Sequence, residues 1–140
     1  MAASKKADTK AAQAALEILL NILPRSERGI QDIAYLFGLI CRDSDIPVEQ
    51  ATIAIMSWSE RLRALPNFKE LYPSYSKLSF YRYRVRYAAQ SAYKRRQASP
   101  SYRKFRDLTG QEPPAASFWT MPQPSTTKQK PGKRPAKDNS

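Results

Sequence analysis

The chain has no histidine and a single cysteine, Cys41, among its 140 residues. A zinc finger needs four His or Cys ligands, and the commonest acid–base catalysts use an imidazole, so both are excluded. Cys41 lies inside an apolar run and reads as a small core residue rather than a redox centre. Only four glycines are present, Gly29, Gly38, Gly110 and Gly132, and their spacing builds no phosphate-cradling loop. The acidic residues Asp32, Asp43, Asp45, Glu49 and Glu60 form no spaced motif. No cofactor, metal or enzymatic activity is expected. Long apolar runs are also missing: MAASKKADTK holds no h-region, and polar residues interrupt every later stretch. The expectation is a soluble cytoplasmic protein with no membrane partner.

Negative charge is missing from one region in particular. Between Glu70 and Asp107 there is no acidic residue, whereas Lys77, Arg82, Arg84, Arg86, Lys94, Arg95, Arg96, Arg103, Lys104 and Arg106 all fall there. Residues 1–70 carry nine basic and nine acidic side chains, residues 71–110 carry ten and one, and residues 111–140 carry five and two. The net charge of +12 is therefore a block in the C-terminal half. Such a field draws polyanions by releasing the counterions condensed on their phosphates.

Apolar periodicity predicts an all-α fold, a compact bundle of four to five helices. Ala12, Ala15, Leu16, Leu19 and Leu23 share a face before Pro24 ends the first helix. Ser26 offers an N-cap to a second, in which Ile30, Ile33, Phe37 and Ile40 recur at three and four. Pro47 suits the first position of a third, whose stripe is Val48, Ala51, Ile55, Trp58, Leu62 and Leu65. Trp58 fits this stripe in phase and is expected in the core. Residues 66–77, bracketed by Pro66 and Pro73, read as a long connection or as a short helical turn plus loop.

The basic segment 78–96 fits two periods. Tyr81, Tyr83, Val85 and Tyr87 alternate with Arg82, Arg84 and Arg86 as a strand would, but no second alternating segment exists to pair with it. Leu78, Tyr81, Val85, Ala88 and Ala92 also make a helical stripe with Ser79 as N-cap, and helix is the reading preferred. SYRKFRDLTG then reads as a short basic helix closed by Gly110. The helical domain is expected over 1–110, with its basic face at 77–106. A disordered tail rich in Pro and Lys is expected over 111–140.

At 100° per residue the basic helix turns Tyr83, Tyr87, Gln90 and Lys94 away from its apolar stripe, flanked by Arg82 and Arg86 on one edge and Arg84 and Arg95 on the other. Guanidinium forks suit phosphates and tyrosine rings suit unpaired bases, a pairing that serves sequence-tolerant single-strand binding. Lys77, Arg96, Arg103, Lys104 and Arg106 extend the positive strip. The alternative is that the tyrosines pack beneath a neighbouring loop above a solvated face. In the tail, Phe118, Trp119 and Met121 either dock a partner or fold back into a groove of the domain.

The segment from RGIQDIAYLFGLI through Trp58-Ser59, Leu78-Ser79 and Ser91-Ala92-Tyr93-Lys94 resembles the helical domain at the C-terminus of plasmid and phage primases. The resemblance covers about residues 28–96. Phe80-Tyr81-Arg82 stands where that family follows Leu-Ser with an acidic residue, and about 27 residues precede the matching part where that family has a polymerising domain. The resemblance implies a primase-accessory role without catalysis: holding single-stranded DNA template or primer for a separate replication or polymerase protein. Other readings of the charge block are a helix-turn-helix duplex reader, a small subunit of an RNA-guided complex, and an interaction or inhibitor module docking an acidic protein surface. Residues 66–77 are long for the turn of a helix-turn-helix.

Overall fold

The computed structural model describes residues 2–95 and 97–120. Arg96, Met121 and the remainder of the expected tail lie outside them. The described chain is helical: α1 (Ala2–Leu19), α2 (Glu27–Asp43), α3 (Val48–Arg63), a single turn α4 (Phe68–Leu71), a 3₁₀ turn (Pro73–Tyr75), α5 (Leu78–Lys94) and α6 (Tyr102–Thr109). Five helices of eight residues or more form the expected all-α bundle. Among the described residues the sole extended pairing is an isolated parallel bridge between Ser101 and Thr120, and no helix is long and apolar enough to cross a membrane.

The basic segment is helical because α5 has an apolar stripe to bury. Tyr81, Val85, Ala88, Ala89 and Ala92 are all buried, chiefly against α2 and then α3. The α2–α5 crossing is close. A Cβ on Gly38 would stand 2.4 Å from the Ala89 carbonyl oxygen and 2.8 Å from the Ala92 Cβ, so glycine faces alanines where the two backbones approach. Aromatic rings fill the space beneath the α5 N-terminus: Phe68 meets Tyr81 edge-on at 5.0 Å, and Tyr75 lies 5.3 Å from Tyr81. Buried tyrosine hydroxyls find carbonyls, as they must. The Tyr81 hydroxyl donates to the Ser59 carbonyl at 2.7 Å, and that of Tyr72 donates to the Pro24 carbonyl. Trp58 is core, as its helical phase predicts. Cys41 is free and buried, and burial pushes its thiol up to about 12.

Caps follow the sequence in part. The Ser26 hydroxyl accepts from the Gly29 amide, the Ser101 hydroxyl accepts from the Lys104 amide, and Gly110 takes the left-handed conformation (φ 70°) that ends α6. Two placements need correcting. Pro47 is the residue before α3 rather than its first helical position, and Lys77, not Ser79, precedes α5. Leu23 and Leu65 also leave the stripes assigned to them and are exposed, because both lie beyond the ends of their helices, where helical phase no longer governs direction.

The largest departure concerns residues 111–120, which pack on the bundle instead of forming free tail. Thr120 pairs with Pro100 and Tyr102 through backbone hydrogen bonds, and Asp8 of α1 accepts from the Ser117 amide at 3.1 Å. Trp119 is buried against Phe105, with ring centroids 5.2 Å apart, and its indole donates to the Pro114 carbonyl at 2.7 Å. Phe105 supplies the reason, because α6 is too short to enclose that ring by itself and the indole covers it. Trp119 and half-buried Phe118 therefore belong to the domain, not to a free docking segment.

Candidate nucleic-acid interface

The outer face of α5 presents two aromatic rings to solvent. Tyr83 and Tyr87, one helical turn apart, are about half exposed (51% and 52%) and stack on each other at 5.8 Å with 24° between their planes. Among the described residues no loop covers them. Arg86 and Lys94 are exposed beside them and, among the described residues, make no ion pair. Lys77 is exposed at the helix start.

The flanking arginines differ from one another. On the α3 side Arg82 is held by Glu60 through two hydrogen bonds, Nε to one carboxylate oxygen at 2.9 Å and a terminal nitrogen to the other at 3.1 Å. The Arg82 hydrogen bond holds the Glu60 carboxyl below its ordinary range. Its forked donors are thus partly used. On the α2 side Arg84 donates to the Gln31 side-chain oxygen at 2.8 Å, while Gln31 donates to the Tyr75 hydroxyl at 2.7 Å. This chain fixes the Arg84 rotamer but leaves its charge unneutralised. Arg95 lies over the Tyr35 ring, 5.7 Å from its centroid.

The basic residues of α6 are divided rather than continuous with this face. Lys104 and Arg106 lie on opposite sides of buried Phe105. Lys104 reaches Asp32 of α2 at 3.5 Å, whereas Arg106 lies over Tyr102 of its own helix, and Arg103 is exposed. Of the twelve basic and aromatic residues expected at the interface, the helix brings Tyr83, Arg86, Tyr87 and Lys94 onto one surface, with Arg82, Arg84 and Arg95 at its edges.

Sequence reasoning missed the residues that support this surface. Arg42 donates to the carbonyls of Ala92 (3.0 Å), Arg95 (2.7 Å) and Ala98, and so closes the C-terminal end of α5 with a cation where the helix dipole is negative. Gln31, Asp32 and Tyr35 form a polar edge beside the apolar stripe of α2. Their polar side chains at spacings of one and three, beside the apolar stripe of Ile30 and Ile33, were the available signal. The residues that carry the primase resemblance serve packing here. Ser59 offers its carbonyl to Tyr81, Ala92 meets Gly38, and the Tyr93 hydroxyl donates to the Ile46 carbonyl.

Among the described residues no three His, Cys, Asp or Glu side chains are grouped to hold a metal ion. No protein-family model, curated protein or solved structure matches the chain.

Proposed function

We propose that this chain is a small helical nucleic-acid-binding protein that holds single-stranded DNA along the outer face of α5. The observation that carries the reading is the exposed Tyr83–Tyr87 stack set among arginines on a helix that bears no carboxylate. Bases stack on the tyrosines; Arg86, Lys94, Arg84 and Arg95 take phosphates; Arg82 contributes less because Glu60 already occupies its fork. The resemblance to primase C-terminal domains favours replication as the process, with a separate polymerising protein as partner.

The test is fluorescence anisotropy with matched single-stranded DNA, duplex DNA, RNA and RNA–DNA hybrid, each across a salt series. Neutralising about four phosphates of a single strand gives a log–log salt slope near −2.8. The double variant Arg86→Ala/Tyr87→Ala is expected to bind single strands roughly 10- to 100-fold more weakly with unchanged melting temperature. Weak binding to all four ligands, equal in both proteins, would assign the charge block to an acidic protein surface.

A further inference from the structure

Beside the tyrosine stack, α2 and α5 enclose a groove of about 220 Å³ whose walls include Tyr35, Tyr87, Arg84 and Arg95. It adjoins a second depression of about 190 Å³, more apolar, running past Leu36 and Leu39 to Lys104. Asp32 and Tyr35 line both. These volumes are below the range of drug-sized sites and suit a group the size of one planar base. Tyr87 belongs at once to the exposed stack and to the groove, so a strand leaving the stack arrives at the groove mouth.

The feature that electrostatics alone does not explain is Asp32. It is the one carboxylate lining either depression, and it stands between cations on a surface otherwise arranged for phosphate. Its ion pair with Lys104 is long, at 3.5 Å, and the lysine side chain is about half exposed, so the pair adds little to stability. A carboxylate there weakens phosphate binding, but it accepts hydrogen bonds from a base edge. Guanine alone presents two adjacent donors, N1–H and the N2 amino group, to the two oxygens of a carboxylate. Adenine and cytosine present one amino group next to an acceptor, and thymine presents one N–H between two carbonyls.

We propose that this groove is a base-reading subsite that takes one unpaired guanine of the bound strand, with Asp32 accepting from its Watson–Crick edge, Tyr35 and Tyr87 as aromatic walls, and Arg84 and Arg95 on the neighbouring phosphates. The proposal rests on the single-strand reading of α5 and deepens it from sequence-tolerant holding to recognition at one position.

The experiment compares an all-thymine oligonucleotide with the same strand carrying one central guanine, adenine or cytosine, against wild type, Asp32→Asn and Lys104→Ala. Wild type is expected to prefer the guanine strand by about tenfold, the scale of one good bidentate base contact. Asp32→Asn abolishes that preference and binds the all-thymine strand roughly two- to fivefold more tightly at low salt, because a negative charge has left the surface. Lys104→Ala breaks the same ion pair but keeps the carboxylate, so the guanine preference survives and only overall affinity falls. Equal binding of all four strands by wild type, or a guanine preference that persists in Asp32→Asn, overturns the subsite while leaving the α5 reading in place. Failure of every strand to bind overturns both.

Discussion

Tyr81 and Tyr83 are two residues apart on α5 and live in different surroundings. Tyr81 is fully buried, ringed by Phe68 and Tyr75, with its hydroxyl on the Ser59 carbonyl. Tyr83 is half exposed and touches chiefly Tyr87. The same divide separates Ala89 and Ala92, pressed against Gly38, from Arg86 and Lys94 in solvent. One face of α5 is therefore the seam of the bundle, while the other meets its neighbours only at its edges, through Arg82 to Glu60 and Arg84 to Gln31. Substitutions on the inner face should act on stability alone, and those on the outer face on binding alone.

The inner seam breaks most severely at Gly38→Ala. The added methyl group meets a backbone oxygen and a Cβ, neither of which can rotate away, so α2 and α5 must separate along their crossing. A loss of about 3 kcal/mol is expected, lowering the melting temperature by more than about 10 °C. Single-strand affinity of the protein that remains folded should not change. A variant that melts like wild type would show that the crossing relaxes freely, and the division between the two faces would lose its structural basis.

How much of this was legible in the sequence differs between the same two faces. The stripes of α2, α3 and α5 could be read because helical phase decides which residues turn inward, and Trp58 followed. The outward direction of Tyr83 and Tyr87 follows from the same phase. Which arginines are paired could not be read. Glu60 lies 22 positions before Arg82, and only the packing of α3 beside α5 brings them together. The gap that a glycine closes is equally silent, since Gly38 and Ala89 carry no pattern of their own. Proline-rich composition correctly denies residues 111–120 a core of their own, but says nothing about a neighbouring ring, Phe105, that needs covering.

Alkaline pH probes the inner face more gently. Burial raises Cys41 from its ordinary 9.0 to about 12, and burial likewise raises Tyr72, Tyr81 and Tyr93 above their ordinary 10.0. The unfolded chain releases these protons first, so stability is full below about pH 9 and falls as pH rises, first through Cys41 and then through the tyrosines. Cys41 alone accounts for a loss on the order of 2 kcal/mol by about pH 10.5. Urea unfolding of wild type and Cys41→Ala at about pH 8 and pH 10.5 measures it. The variant starts less stable and loses less over the interval; parallel losses would remove Cys41 from the account.

The smallest expected effect is on the outer face, where Glu60→Gln releases the Arg82 fork. This pair is solvent-exposed and adds little to stability, so the melting temperature should barely move. Binding should move in the favourable direction, because one negative charge leaves the edge of the interface and one guanidinium becomes available to phosphate. The expected gain is about two- to fivefold at low salt, with the log–log salt slope steeper by roughly 0.7, one more phosphate neutralised on a single strand. Asp32→Asn removes a charge of the same sign from α2, beside the opposite edge of α5, yet it alone should alter base preference. Glu60→Gln with unchanged affinity and slope would put the strand away from Arg82, confining its path to the Tyr87 and Arg95 side of the helix, whereas a gain that vanishes at high salt would put the phosphates along both edges.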